Sequence, residues 1–139
     1  MKPKNLSIDD INIGDSASFD RIFTESNVKL FSKLSGDMNP LHIDKRYAKT
    51  TKFKHRIVHG MLVGSLCSTL VGMYLPGKKC LYLGQILWFK KPIFIGETVT
   101  VRGIVVSKSV STGIIKISIS IMRGADEVTS GEAVVQVLK

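Results

Sequence analysis

The sequence predicts a single α+β domain, residues 1–139, in which a curved antiparallel sheet wraps one central helix. Three observations carry this. Ile57 to Gly77 contains no Asp, Glu, Lys or Arg, as a helix buried on all sides requires. Beyond Gly77 the apolar period changes to two, most cleanly at Ile115, Ile117, Ile119 and Ile121. The length, 139 residues with 44% hydrophobic and 22% charged, fits one packed core and is too short for a two-domain enzyme.

Taken in order, Ala17, Phe19, Arg21 and Phe23 alternate as a first strand. Thr24 caps a helix with Val28, Phe31 and Leu34 at every third position, and Ser35-Gly36 ends it. Pro40 bars helical continuation through Asp37-Met38-Asn39, so a loop begins at Asp37; Asp44 caps a short helix through Ala48. The uncharged run 57–77 approaches the ~20 residues of a bilayer span. Its His59, Gly60, Gly64, Ser65, Ser68, Thr69 and Gly72 suit a helix wrapped by protein better than one facing lipid.

Strands follow at Leu81 to Phe89, Thr98 to Ser107, the isoleucine segment, and Ala133 to Leu138. Gly96-Glu97, Ser111-Thr112-Gly113 and Gly124-Ala125-Asp126 punctuate them, and such short links join antiparallel neighbours. A helix apolar all round needs a cover, and the sheet curling around it is the economical one, the layout called a hotdog. One sheet leaves a flank of the helix bare, which predicts a homodimer.

Only 4 Pro and 12 Gly argue against disorder. Twenty Lys plus Arg against eleven Asp plus Glu leave a net charge of +9, which points to an anionic partner: nucleic acid, headgroups, an acidic protein or a phosphate-bearing substrate. Lys45, Arg46, Lys49, Lys52, Lys54 and Arg56 cluster with no acid among them, and phosphate is their natural guest. Tyr47 and Phe53, the aromatics there, are too few for a base-stacking platform, which argues against nucleic acid. Cys67 and Cys80 form no C-x-x-C pair, and Met1 to Asp10 lacks the apolar core of a secretory signal; together they predict a reducing, cytoplasmic setting.

Three readings fit Asp37-Met38-Asn39-Pro40-Leu41-His42. The first is an Asx-type turn with no chemistry. The second is an acid/base pair, since a carboxylate and an imidazole across a proline-stiffened turn can reach one water molecule. The third, a metal site from Asp37, His42 and His59, is weaker, because no H-x-x-x-H or E-x-x-H pattern orders the ligands. Gly60 opens the long helix, where an unpaired amide can hold a developing oxyanion; the plainer role is close packing. Ser68, two turns on, lies near the face of Gly60 and Gly64, although a lone mid-helix serine usually bonds to the preceding turn. Cys67 and Met61 read as core.

The stretch Ser35-Gly36-Asp37-Met38-Asn39-Pro40-Leu41-His42-Ile43-Asp44 resembles the signature of the (R)-specific enoyl-CoA hydratases, the MaoC-like hydratase-2 branch of the hotdog superfamily. Ile57-Val58-His59-Gly60-Met61-Leu62, Leu75-Pro76-Gly77, Tyr82-Leu83-Gly84-Gln85, Phe89-Lys90-Lys91-Pro92 and Gly131-Glu132-Ala133-Val134-Val135 extend the likeness to the short, single-hotdog form that supplies polyhydroxyalkanoate precursors. The resemblance implies reversible syn addition of water to a trans-2-enoyl-CoA, with no metal or redox cofactor. It implies Asp37 and His42 as catalytic dyad, Asn39 bracing the loop, the Gly60 amide on the thioester oxygen and Ser68 by the dyad. Val71 would set the depth of the acyl tunnel. The basic cluster would meet the phosphates of coenzyme A, or an acidic acyl carrier protein, making an acyl-carrier-protein dehydratase the rival enzyme. A hotdog thioesterase commonly carries a carboxylate on the central helix, and this helix has none. A non-catalytic acyl-CoA or nucleic-acid binding module would show no turnover at all.

Overall fold

The computed structural model describes all residues, Met1–Lys139. Strand β1 (Ser16–Ile22) leads into three short helices, α1 (Glu25–Ser35), α2 (Pro40–Ile43) and α3 (Lys45–Thr50). A helical stretch follows in three pieces, α4 (Gly60–Gly64), α5 (Leu66–Thr69) and a π-helical turn (Leu70–Tyr74). Strands β2 (Cys80–Phe89), β3 (Thr98–Ser109), β4 (Ile114–Arg123) and β5 (Asp126–Val137) complete the chain. The five strands form one antiparallel sheet in the order β1-β3-β4-β5-β2. No helix is long and apolar enough to cross a membrane.

The local signals act as expected at the caps. Thr24 Oγ1 accepts from Asn27 N–H, Gly36 closes α1 with φ 79°, and Asp44 caps α3 through Arg46 and Tyr47 N–H. The face of α1 is narrower than its spacing implied: Val28 and Ser32 are buried, whereas Leu34 is 87% exposed. The central helix is also shorter than the uncharged run. It begins at Gly60, because Ile57 bridges to Phe94 and Val58 N–H donates to Ile93 O at 2.7 Å.

Ser65 interrupts it, its hydroxyl donating to Leu62 O at 2.7 Å, a side-chain bond that competes with the helical ladder. The last turn widens so that Leu75 N–H reaches Leu70 O. Strand β5 starts seven residues before the Ala133 expected from alternation, since a tight turn at Gly124 lets it pair from Asp126 with Arg123.

Alternate residues of β3, β4 and β5 turn one face into the core: Val101 pairs with Ile121, Val105 and Ala133 with Ile117, and Val135 with Ile115. The central helix lies on that face. A Cβ built on Gly103 would stand 2.4 Å from Leu70 Cδ2 and 3.0 Å from Ile117 Cγ2, so the missing side chain is the seat for Leu70. On the helix, Gly64 plays the same part toward Leu87 of β2. The link from β2 to β3 spans the sheet, carrying Ile93 and Phe94 to the approach of α4.

Gly103→Ala is therefore expected to lift the helix off the sheet, costing roughly 2 kcal/mol through overpacking. Thermal unfolding should show a Tm several degrees lower; an unchanged Tm would mean that Leu70 is not seated there.

Candidate active site

Two stretches far apart in sequence meet beside the start of α4. Residues 36–44 turn away from the end of α1, where Ser35 Oγ donates to Phe31 O at 2.7 Å and accepts from Asp37 N–H at 3.2 Å. Asp37 Oδ1 accepts from Asn39 N–H at 3.1 Å, and Asn39 Oδ1 from Leu41 N–H at 3.0 Å. These are successive Asx turns. Pro40 then takes the first position of α2, where its missing N–H costs nothing. The structural and chemical readings of the loop thus coexist: one oxygen of Asp37 builds the turn, and Oδ2 is left over.

Residues 57–60 supply the other wall. His42 Nδ1 lies 2.8 Å from Ile57 O. A carbonyl only accepts, so Nδ1 carries the proton and, in the neutral ring, Nε2 holds the lone pair. His59 is 2% exposed, and its ring stacks on that of His42 with centroids 3.8 Å apart and planes at 27°. By the same reasoning His59 Nε2–H donates to Asp37 O at 3.2 Å; Ser32 Oγ lies equally close to it, and Asp37 Oδ2 is 3.9 Å away. His59 Nδ1 is buried without a partner. Burial pushes the His59 imidazole below its ordinary pKa, opposed by the Asp37 carbonyl and reinforced by His42.

One Asp37 carboxylate oxygen and one ring nitrogen each from His42 and His59 fall within 4.8 Å of one another. A tetrahedral metal ion needs convergent lone pairs. His42 Nδ1 and His59 Nε2 already face carbonyls, so these two nitrogens carry protons and offer a metal no lone pair. The spacing suits a shared water instead, since two ordinary hydrogen bonds to one oxygen span about 4.5 Å.

Gly60 shares a cleft of about 440 Å³ with His42, Ile57, Val63, Phe89 and Thr129. As the first residue of α4 its N–H takes no intrahelical partner. A Cβ here would lie 3.2 Å from the Phe89 ring, so close packing and a free amide are both consequences of the glycine.

Asp37, Asn39, His42 and Gly60 are thus held by one connected set of loops. Ser68 and Val71 are not brought to them. Eight residues of helix carry Ser68 about 12 Å along the axis from Gly60, where it is exposed; Val71 is fully buried in the core. Neither lines the cleft that His42 and Gly60 share, and nor do Asp37 and Asn39, which join the site through the hydrogen bonds of their loop. His59 was legible only as a third metal ligand, because nothing local announces a stack on His42.

The basic cluster borders the same region. Lys45, Lys49, Lys54, His55 and Arg56 line a neighbouring cleft of about 330 Å³, and Lys52, Lys90 and Lys91 line the His42 cleft. Arg56 is paired with Glu25 at 3.3 Å, Lys90 with Glu127, and Lys91 with Asp126 at 2.7 Å, which leaves Lys45, Lys49, Lys52 and Lys54 free for an anion.

The chain is similar to known proteins over most of its length. A family model described as MaoC like domain matches residues 11–123. The (R)-specific enoyl-CoA hydratase of Aeromonas caviae is 41% identical over 132 residues, covering 94% of this chain and 98% of the relative. The mitochondrial 3-hydroxyacyl-[acyl-carrier-protein] dehydratase of Arabidopsis thaliana is 32% identical over 127 residues, 88% of this chain and 75% of that one. The solved structure of an R-hydratase, PhaJ1, from Pseudomonas aeruginosa in the unliganded form superposes with TM-score 0.93 at 34% identity, over 99% of this chain and 88% of the other.

The buried imidazole has a consequence for stability. His59 is held below the ordinary imidazole value of 6.5 in the fold, so on acidification through that value the unfolded chain takes the proton first. Stability is complete above about pH 6.5 and falls below it. The lowered carboxyls of Asp10, Glu25, Asp44 and Asp126 act only in a more acid window. Urea midpoints should drop between pH 7 and 5 in the wild type and stay nearly flat in His59→Gln; identical profiles would show that His59 protonates freely in the fold.

Proposed function

This chain belongs to the MaoC-like domain family, and we propose that it is an (R)-specific enoyl-CoA hydratase, a hydro-lyase that adds water reversibly to trans-2-enoyl-CoA and gives (R)-3-hydroxyacyl-CoA. The observation that carries the reading is an Asp37 carboxylate oxygen within 4.8 Å of a ring nitrogen of His42, whose Nδ1–H is spent on Ile57 O, with His42 sharing a cleft with the unpaired Gly60 amide.

Water held between Asp37 and His42 gives up one proton to the dyad as its oxygen bonds to C3 of the enoyl thioester. The electron pair of the C2–C3 double bond moves toward the thioester carbonyl, whose oxygen becomes negative. The Gly60 amide, at the positive end of α4, is the donor for that oxygen, a contribution of roughly 3 kcal/mol by comparison with other oxyanion donors. The dyad then returns a proton to C2. Both transfers come from one side of the substrate, which makes the addition syn. Both proton transfers are assigned to Asp37 and His42 together. No metal or redox cofactor enters these steps. Asn39 braces the loop by capping α2.

The free lysines beside the cleft suit the pyrophosphate and 3′-phosphate of coenzyme A. The setting is the cytoplasm. Strand β2 is a sheet edge bearing exposed Leu81, Leu83, Ile86 and Trp88, the last 68% exposed. A second copy pairing there covers an edge that otherwise invites aggregation.

Crotonyl-CoA should lose its ultraviolet enoyl-thioester absorbance in the presence of the protein, and Asp37→Asn and His42→Ala should each lower kcat by roughly 10² to 10⁴-fold. Wild-type kcat in both variants would remove the dyad from the mechanism, and faster turnover of the matched acyl-carrier-protein substrate would move the assignment to the dehydratase. Sedimentation equilibrium should give about twice 15.3 kDa and revert toward one chain in Trp88→Glu; a wild-type monomer would contradict the β2 interface.

A further inference from the structure

We infer that His59 is a positioning residue of the hydration reaction, a neutral imidazole that ties the Asp37 loop to the start of α4 and supports the ring of His42. The inference rests on the hydratase reading and assigns work to a side chain outside the dyad.

Three contacts converge on this one ring. Its Nε2–H faces the main-chain oxygen of Asp37, the residue whose carboxylate must reach water. Its face lies against His42 at 3.8 Å, and its edge meets Phe31 of α1 at 5.0 Å. His59 is also the residue before Gly60, so the anchored ring holds the backbone that leads into the amide offered to the thioester oxygen. Carboxylate, imidazole and oxyanion donor therefore share a single buried wedge. A misplacement of about 1 Å in such a set can cost roughly 10²-fold in rate.

The surroundings of its second nitrogen keep His59 from serving as a proton carrier. The titratable groups facing it are Asp37 from the loop and His42 from α2, while α1 presents only Ser32 and Phe31. Its second nitrogen, Nδ1, is enclosed with no acceptor, so a proton added there would be a buried donor without a partner. A neutral ring is also the better neighbour for His42 when that residue is transiently protonated, because the face of a neutral aromatic ring attracts a cation.

The test compares two amides of different reach. The side-chain nitrogen of Gln falls near the place of a histidine Nε2, whereas that of Asn falls near Nδ1 and stops short of the Asp37 oxygen. His59→Gln should keep kcat within about threefold of wild type and preserve the shape of the rate–pH profile. His59→Asn should lose at least tenfold in kcat, with KM for crotonyl-CoA within about twofold, because the nucleotide-binding lysines are untouched. Circular dichroism on both variants establishes that each is folded. Equal rates in the two variants would overturn the inference, as would a loss in His59→Gln that removes one limb of the pH profile, which would make His59 a proton carrier. A wild-type protein inactive on every enoyl thioester would instead sink the hydratase reading, and the inference with it.

Discussion

The helical stretch 60–74 carries no charge and has to hide most of its surface, and the apolar face of β3, β4 and β5 is the surface that hides it. Leu70 drops into the gap over Gly103, and Gly64 and Gly60 let β2 close on the other side. Once that contact is made, the N-terminus of α4 has one position relative to the sheet. The 57–60 approach is then clipped to Ile93 and Phe94, and the loop 36–44 is clipped to Ile57. The geometry of the site is thus inherited from a packing requirement, with hydrogen bonds fixing the last ångströms.

That inheritance explains why exposed loop residues can act as a rigid dyad. Asp37 is exposed, yet its N–H is bonded to the Ser35 hydroxyl, its carbonyl to the His59 ring, and one oxygen of its own carboxylate to the Asn39 N–H. His42 has its tautomer selected by a carbonyl that itself belongs to the clipped segment. Rigidity at this point lowers the ordering cost of bringing water, acid and base together, which is where intramolecular catalysis gains most of its advantage.

Much of this was legible in the residues, and the legible part is local. Thr24, Asn39, Asp44 and Gly36 are capping or turn residues whose effect reaches three or four positions, and each does what its chemistry dictates. The isoleucine alternation of β4 likewise needs only its own strand. What escaped depends on distant partners. The stack of His59 on His42 joins positions seventeen apart through the fold, and the break at Ser65 comes from a side-chain bond that competes with a ladder otherwise satisfied. Leu34 obeys helical spacing and is still exposed, because α1 lies at the edge of the core and only its Val28–Ser32 stripe meets it. The early start of β5 was hidden because Asp-Glu-Val-Thr-Ser-Gly-Glu lacks alternation and is recruited by pairing with β4 and β2.

A single dyad making both proton transfers on one face of the substrate is the central claim, and stereochemistry tests it most directly. Hydration of crotonyl-CoA in deuterium oxide, followed by chiral separation and proton NMR of the 3-hydroxybutyryl product, reads the configuration at C3 and the face of deuterium at C2 together. The account predicts the (R)-alcohol with deuterium delivered to the same face as the hydroxyl. Deuterium on the opposite face would place the second proton outside the Asp37–His42 pair and contradict the account, and an (S)-alcohol would contradict its (R)-specificity.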